Sequence, residues 1–283
     1  INKIVGDVAS YLMPVPMASA TMDGCMENGR DMMHGGAKYN STGTVILGIA
    51  TAVDSLSAIR YMVYDKKLCT AKELYDAVMA DWKGYELLRQ QVVNEAPHYG
   101  NGDPYSDEIA SWVADLYTSR TYTYENSRGK YRPGIYSAGA HVLHGYQTWA
   151  TPDGRFNGQP ISDSASPSRG AIKNGPTGVA RSILALNPSN FSNGLQFNIK
   201  FHPSSVEGAA GTEKMKQFIK SFFKQGGMQL QYNIVDADTL KQAQANPDDY
   251  KDLVVRVAGF SAYFVELYED LQNELINRSE VSM

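Results

Sequence analysis

The sequence predicts a mixed α/β fold, and three observations support that class. Apolar side chains recur at helical spacing through residues 51–118, which predicts a block of amphipathic helices. Seven of the twelve prolines fall within residues 119–211, a distribution typical of long loops between short strands. Residues 212–283 return to regular patterns, with an amphipathic helix, an alternating strand and a last helix. The 283 residues suffice for one or two domains with a large buried core.

Composition and charge exclude several classes of protein. Hydrophobic residues make up 43% of the chain and charged residues 20%, which excludes a disordered protein. The formal net charge is -4, and no nucleic-acid partner is expected, because neutralising phosphates requires clustered cations. The most apolar stretch, residues 45–53, is far shorter than the ~18 residues of a membrane span, so no membrane contact is expected.

Cysteine usage and the first residues bear on location. Cys25 and Cys69 alone do not form a disulfide framework. Residues 1–4 lack the basic and apolar regions of a secretory leader. We therefore expect a cytoplasmic protein. The chain begins with Ile1 rather than methionine, which suggests a piece of something longer.

The first 118 residues are expected to pass from loops to helices. Residues 1–50 are rich in Gly, Met and small side chains, and they predict loops and short strands. The first predicted helix is marked by Val53, Leu56, Ile59 and Val63. Thr70 and Glu73 form a capping-box pattern at the start of a second helix. Ser106 is the candidate cap of a third helix.

The last seventy residues predict three helices and two strands. One helix face is formed by Met215, Phe218, Ile219, Phe222 and Phe223, and glycines 226 and 227 end that helix. A strand is indicated by the alternation of Met228, Leu230, Tyr232 and Ile234. A short helix is expected from Asp238 to Pro247, and an apolar run over residues 253–258 predicts a strand that leads into a loop at Gly259. The last helix is marked by Leu267, Leu271 and Leu275.

Several common motifs are absent or incomplete. The sequence holds neither a dinucleotide-binding nor a P-loop glycine pattern. Gly134, Ser137 and Gly139 approach a nucleophile elbow, but the spacing is one residue too long. His141 and His144 are spaced to share a helix face, yet no further ligands match them, so no metal site is expected.

One segment carries a chemical motif. Residues 256–262 read Arg-Val-Ala-Gly-Phe-Ser-Ala, with Gly259 at the centre. This segment resembles the signature of the glycyl radical enzymes, the pyruvate formate-lyase-like superfamily. Further stretches resemble that family in the same order: residues 35–40, 151–155, 166–167, 174–177, 226–233, 248–253 and 266–278. The resemblance covers essentially the whole chain. The tail is similar to the dehydratase, lyase and decarboxylase branch more than to pyruvate formate-lyase.

The resemblance implies a fold and a domain division. The fold is expected to be the C-terminal part of the family's ten-stranded α/β barrel, followed by the glycyl radical domain. We expect the barrel part over residues 1–152 and the radical domain over residues 153–283. The rest of the barrel is expected upstream of Ile1, and a homodimer is the expected assembly.

The resemblance also assigns chemistry to Gly259. In the family, a separate radical-SAM activating enzyme with an iron–sulfur cluster removes a Cα hydrogen from this glycine, and no cofactor stays bound. A glycine is required because the radical needs a flattened Cα that a side chain would crowd. Arg256, Val257, Phe260 and Ser261 are the expected radical-loop and activase-recognition residues. The alternative is a glycine that only serves a tight turn.

The family's next step needs a cysteine. Its stored radical generates a cysteine thiyl on a loop of Gly-Cys-x-Glu type, and residues 24–27 resemble that loop. We interpret Cys25 as a decoy, because it lies 234 residues before Gly259, too close for the family's spacing. Cys69 is a weaker candidate. The thiyl cysteine is therefore expected before Ile1.

Substrate-pocket residues come from one further segment. Residues 128–137 resemble the family strand that directs side chains toward the substrate, which makes Tyr136 a candidate, with Ser137 and His141 behind it. The alternative for each is a packed barrel residue.

The predicted function is that of a glycyl radical lyase or dehydratase of anaerobic metabolism, oxygen-sensitive, which cleaves a C–O, C–N or C–S bond of a small polar substrate. Three alternatives stay open: an arylacetate decarboxylase of the same family, a non-catalytic radical-bearing subunit, and a degenerate structural homologue.

Overall fold

Helices and strands alternate in the computed structural model, which describes residues 2–282. Its α-helices are α1 (Asn2–Leu12), α2 (Pro16–Ala20), α3 (Cys25–Asn28), α4 (Ile49–Ile59), α5 (Ala71–Met79), α6 (Glu86–Glu95), α7 (Pro104–Thr121), α8 (Ala140–Tyr146), α9 (Gly175–Ala185), α10 (Gly208–Lys224), α11 (Ala237–Ala245) and α12 (Glu269–Asn277). Its strands are β1 (Thr42–Ile46), β2 (Glu125–Asn126), β3 (Gly129–Ile135), β4 (Asn198–Phe201), β5 (Gln231–Ile234), β6 (Val254–Arg256), β7 (Ser261–Tyr263) and β8 (Glu280–Val281). This confirms the predicted α/β class.

Two small sheets meet at the end of β3. Strands β1 and β3 run parallel, in a register that pairs Thr42 with Tyr131 and Ile46 with Ile135. The second sheet has the order β5-β4-β8 and is parallel throughout. A parallel bridge between Ile135 and Leu195 extends the first sheet toward the segment that leads into β4. The carboxyl end of β3 and the start of β4 are thereby held side by side.

The main core lies around these sheets and the helices that cover them. Its fully buried aromatic side chains are Tyr99, Phe191, Phe197, Phe201 and Phe222. The rings of Phe197 and Phe222 lie 5.5 Å apart in a tilted arrangement, which joins the residue before β4 to α10. Burying a side chain of this size contributes about 1.5–3 kcal/mol relative to leaving it exposed.

A second core lies under the hairpin of β6 and β7. Val257 and Phe264 are fully buried there, beside Leu271 and Leu275 of α12. The hairpin therefore rests on the C-terminal helix, and the predicted helix marked by these leucines is confirmed.

The predicted helices of residues 51–118 are confirmed, with one correction. Thr70 caps α5, and its hydroxyl accepts the Glu73 N–H while Glu73 accepts the Thr70 N–H, which is the predicted capping box. Ser106 is not the cap of α7. Asp103 caps that helix, because its carboxylate accepts the Tyr105 N–H at 2.9 Å and Pro104 occupies the first helical position.

Two stretches are more helical than predicted. Residues 2–28 form α1, α2 and α3 rather than loops and short strands, and β1 follows them. Within residues 119–211, the predicted short strands are accompanied by α8 and α9. Both helices begin at glycine-containing turns, at Gly139 and at Asn174-Gly175-Pro176, which the composition-based interpretation assigned to loops.

The C-terminal predictions are correct apart from boundaries. α10 ends before Gly226, which has a positive φ of 98°, and β5, α11, β6 and α12 follow in the expected order. α11 begins after Asp236 rather than at Asp238, because the Asp236 carboxylate accepts the Thr239 N–H. Among residues 2–282, no helix combines the length and the apolar character needed to cross a membrane.

Candidate functional site

The centre of the candidate site is the turn that joins β6 to β7. The two strands are antiparallel and pair Val254 with Tyr263 and Arg256 with Ser261. The Val257 N–H donates to the Phe260 carbonyl at 2.9 Å, which closes a four-residue turn. Gly259 is the third residue of this turn and has a φ of +93°. Only glycine adopts that conformation without strain, so the turn alone accounts for a glycine at this position.

Two buried glutamines lie against Gly259, and one of them holds its backbone by a hydrogen bond. The Gly259 N–H donates to Oε1 of Gln231 at 2.9 Å. A side chain on Gly259 would bring its Cβ to 3.1 Å from Nε2 of Gln196. Gln231 is 4% exposed and Gln196 is 7% exposed, so both are buried, whereas Gly259 itself is exposed in the structure.

The stem of the hairpin is held by an asparagine. Asn233 accepts the Arg256 N–H at 2.8 Å and donates to the Arg256 carbonyl at 2.7 Å, so one side-chain amide satisfies both backbone groups of a single residue. Asn233 and Gln231 both lie on β5 and both point inward. No functional role was predicted for either residue, although the sequence does show two amide side chains at alternating positions of one strand.

The other predicted radical-loop residues divide into two groups. Val257 is fully buried in the core under the hairpin. Arg256, Phe260 and Ser261 are exposed, and the guanidinium of Arg256 donates to Oγ of Ser261 at 3.0 Å. Their role in recognising an activating enzyme stays a prediction.

A buried polar cluster lies behind the turn and centres on Asp163. Its carboxylate accepts hydrogen bonds from the hydroxyls of Ser137 and Ser164 and from Nδ2 of Asn198. His141 lies beside it, with Nδ1 at 3.1 Å from Oγ of Ser137. The structure thus brings the predicted residues Ser137 and His141 together, in a site where they are 4% and 1% exposed.

The C-terminal helix completes this cluster with an ion pair. Arg278 donates from Nη2 to Glu274 at 2.8 Å and lies 3.3 Å from Oδ2 of Asp163. Burial alone would raise the pKa of the Glu274 carboxyl, but the charge of Arg278 and the contact with His141 outweigh it and lower that pKa to about 2. Glu274 and Asp163 also raise the pKa of Arg278 against the effect of its burial. The Glu274 carboxylate and the Arg278 guanidinium therefore both stay charged near neutral pH.

Tyr136 occupies a different position from Ser137 and His141. It is half-buried, and its hydroxyl accepts a hydrogen bond from Nδ2 of Asn193 at 3.0 Å. It follows Ile135, whose carbonyl accepts the Gln196 N–H at 2.8 Å. Tyr136 is therefore linked to the Gly259 turn through Gln196, and its role as a pocket residue stays a prediction.

A cavity of about 340 Å³ adjoins the polar cluster. Its lining includes His141, Asp163, Glu274 and Arg278, but not Gly259 or Tyr136. The lining also includes His98, whose pKa is raised because its contact with Asp54 outweighs the effect of burial. Within the described part of the chain, no group of three or more His, Cys, Asp or Glu side chains is arranged to hold a metal ion.

The two cysteines have ordinary structural surroundings. Cys25 is 3% exposed at the start of α3, and the carboxylate of Glu27 accepts the Gly24 N–H at 2.9 Å. Helix capping thus explains the Gly-Cys-x-Glu pattern without catalysis. Cys69 is half-buried, and burial followed by the charge of Glu73 raises the pKa of its thiol.

Comparison with known proteins gives two family matches. Residues 1–145 match the pyruvate formate lyase-like family and residues 161–265 match the glycine radical family. The chain is 38% identical over 280 residues to a trans-4-hydroxy-L-proline dehydratase of Clostridioides difficile, covering 99% of this chain and 35% of that protein. It is also 38% identical over 285 residues to a (2S)-3-sulfopropanediol dehydratase of Klebsiella oxytoca, covering 99% and 34%. Decarboxylases also occur among the relatives.

A solved structure confirms the fold. The glycerol-bound B12-independent glycerol dehydratase of Clostridium butyricum superposes with a TM-score of 0.95 at 38% identity, covering 99% of this chain and 36% of that one. The predicted fold, the C-terminal part of the α/β barrel followed by the radical domain, is confirmed. The chain spans about a third of the length of the curated relatives it matches. The predicted boundary at residues 152 and 153 stays a prediction.

Proposed function

Because this chain belongs to the pyruvate formate lyase-like family of glycyl radical enzymes, we propose that it carries the radical glycine of a dehydratase or C–X lyase. We assign the radical to Gly259. The observation that carries this assignment is the position of Gly259 within residues 161–265, which match the glycine radical family. The geometry supports it, since Gly259 has a φ of +93° at the tip of a hairpin and its N–H is held by Gln231 at 2.9 Å.

The proposed chemistry begins with a hydrogen atom. A radical-SAM activating enzyme with an iron–sulfur cluster would supply a radical that takes one hydrogen atom from Cα of Gly259. The unpaired electron that stays on Cα is delocalised over the neighbouring amide groups. A methyl group in place of the second hydrogen would crowd the flattened Cα.

The stored radical then acts through a cysteine. Gly259 takes a hydrogen atom from a thiol, and the thiyl takes one from the substrate, which prepares loss of the leaving group. We assign this thiol to a residue other than Cys25, because helix capping by Glu27 explains the Gly-Cys-x-Glu pattern at that position.

The proposed reaction class is based on the reactions of the relatives. The dehydratases and sulfite-lyases among the relatives are 36–42% identical to the chain, and the decarboxylases are 35–36% identical. We therefore propose elimination from a small polar substrate over arylacetate decarboxylation. Tyr136 is the proposed pocket residue, since it is half-buried beside the Gln196 segment.

The same proposal includes the setting of the reaction. The partner is the activating enzyme, no cofactor is bound by the chain itself, and the assembly is a homodimer. Backbone radicals react with oxygen, so we place the protein in anaerobic metabolism. We also propose a cytoplasmic location, which agrees with two free cysteines.

The test is anaerobic activation of the native polypeptide that contains residues 1–283. Activated protein is expected to show an organic radical by electron paramagnetic resonance and to be cleaved at Gly259 on exposure to air. Gly259→Ala is expected to abolish both results. Gly226→Ala is a matched control, because Gly226 also has a positive φ, of 98°, and a Cβ there would meet no atom within 4 Å.

The outcomes separate the candidates. An activated protein that shows no radical and stays intact in air would contradict the proposal and favour a degenerate structural homologue. A radical that persists in Gly259→Ala would place it elsewhere. Incubating the activated protein with small diols, hydroxylated amino acids, hydroxysulfonates and arylacetates, and measuring water, sulfite or carbon dioxide released, distinguishes a lyase from a decarboxylase.

A further inference from the structure

We propose that Gln231 is a positioning residue for the radical on Gly259. The side chain of Gln196 packs close to Cα of the same glycine. The inference rests on the proposed function of Gly259 and assigns the groups that orient it. Three observations carry it: the Gly259 hydrogen bond, the close approach of Gln196, and the burial of both amides.

The orientation of the Gln231 amide is fixed by its partner. The Gly259 N–H can only donate, so the atom of Gln231 that lies 2.9 Å from it must be the carbonyl oxygen Oε1. The backbone of Gln231 is anchored as well, since its N–H donates to the Phe197 carbonyl at 2.8 Å. The acceptor for Gly259 therefore stands on a rigid strand rather than on a loop.

Gln196 approaches the other side of the glycine. Its Oε1 lies 3.0 Å from Oγ of Ser164, and its backbone N–H donates to the Ile135 carbonyl. Its Nε2 has no hydrogen-bond partner among the described residues and lies 3.1 Å from the position of a Cβ on Gly259. The Cα hydrogen of Gly259 that stands where a Cβ would be thus faces a buried amide.

These contacts act on the electronic structure of a glycyl radical. The unpaired electron is delocalised only while the orbital on Cα stays aligned with the flanking amide groups. That alignment depends on how the peptide plane that carries the Gly259 N–H is rotated about the N–Cα bond. The hydrogen bond to Gln231 fixes this rotation. A hydrogen bond of this kind contributes about a factor of ten to the occupancy of the oriented state.

The sequence offers a matched control two residues away. Oε1 of Gln229 accepts the Phe197 N–H at 2.8 Å, so it makes the same type of side-chain to backbone hydrogen bond from the same segment, without contact to Gly259. Gln229→Leu therefore reports the general cost of losing such a bond. Gln231→Glu keeps an oxygen acceptor at the same reach, although it buries a charge, and serves as the conservative variant.

The test compares these variants in the native polypeptide after anaerobic activation. Gln231→Leu is expected to change the α-proton hyperfine splitting of the Gly259 radical and to shorten its anaerobic lifetime about tenfold. Gln231→Glu is expected to restore the wild-type splitting, and Gln229→Leu is expected to leave it unchanged. In the protein before activation, Gln231→Leu is expected to speed amide hydrogen exchange of Gly259 about tenfold.

Each remaining outcome counts against the proposal in a distinct way. If the radical of Gln231→Leu has the same hyperfine splitting and lifetime as the wild-type radical, the positioning role alone is overturned. Equal effects of Gln231→Leu and Gln229→Leu would mean that the bond serves only general stability. A wild-type protein that forms no radical overturns the proposed function and the positioning role together, whatever the exchange rate of the Gly259 amide.

Discussion

The guanidinium of Arg278 donates a hydrogen bond from Nη1 to the carbonyl of Val257 at 3.1 Å. Val257 begins the turn that holds Gly259, and Arg278 follows the last helix. The same guanidinium pairs with Glu274 and approaches Asp163. One side chain therefore ties the hairpin to the buried polar cluster, so the position of the turn depends on residues distant in sequence.

Arg278→Leu is expected to destabilise the protein by about 3–5 kcal/mol, because it leaves Asp163 and Glu274 as buried carboxylates without their cation. Arg278→Lys is expected to recover part of this loss, since an ammonium restores the charge, but its single nitrogen cannot reach all the groups that Nη1 and Nη2 of the guanidinium reach. Urea unfolding measures both costs. Arg120, in the last turn of α7, supplies a surface control whose change to Leu is expected to have an effect below about 0.5 kcal/mol. Equal stability of the two Arg278 variants and wild type would contradict the proposed tie.

Glu274 predicts a dependence of stability on pH. Its pKa is lowered from the ordinary 4.5 to about 2 in the folded protein. The ionised carboxylate therefore stabilises the fold fully above pH 4.5, and that contribution is lost as the pH falls from about 4.5 toward about 2. The contribution is on the order of 3 kcal/mol.

Urea unfolding from pH 6 down to pH 2.5 measures this loss. Glu274→Gln is expected to be less stable than wild type near neutral pH and to show a smaller decline in acid. A variant that declines as steeply as wild type would show that other carboxylates produce the effect.

Strand β5 shows where interpretation of the sequence succeeded and where it failed. The alternation of Tyr232 and Ile234 with polar residues correctly predicts a strand. The buried face is the opposite one: Tyr232 and Ile234 are 39% and 46% exposed, whereas Gln231 and Asn233 are buried. Alternation fixes a period of two but not which face is inside, and here the polar face is inside because it holds the hairpin.

The same limit applies to the rest of the site. The turn at Gly259 follows from local residues, because a glycine at the end of an apolar run is a local signal. The cluster of Ser137, Asp163, Glu274 and Arg278 joins three segments, and no local pattern reports a pair such as Asp163 and Arg278, which are more than a hundred residues apart. The predicted cap, Ser106, is wrong because Asp103 suits the same position and only the backbone conformation distinguishes the two residues.

Asn233 is expected to control the stem of the hairpin. Asn233→Asp keeps the acceptor for the Arg256 N–H but loses the donor to the Arg256 carbonyl, and it buries a charge. A cost of about 1–3 kcal/mol is expected, together with faster amide exchange across β6 and β7. Hydrogen exchange read by mass spectrometry measures the local effect, with peptides from α5 as internal reference. Unchanged exchange in the hairpin would show that pairing with β7 alone maintains the stem.

Gly259→Ala and Gly226→Ala separate the conformational cost of a side chain from its chemical effect. Both glycines have positive φ, 93° and 98°, so each alanine is expected to cost about 1 kcal/mol of stability. Only Gly259→Ala also brings a Cβ to 3.1 Å from Gln196, and that side chain must shift by a few tenths of an ångström. Thermal unfolding of both variants is therefore expected to show similar losses, slightly larger for Gly259→Ala. If Gly259→Ala folds with only this small loss of stability and yet forms no radical, the loss of the radical results from the chemistry of Cα. If Gly259→Ala fails to fold, the glycine is required by the turn.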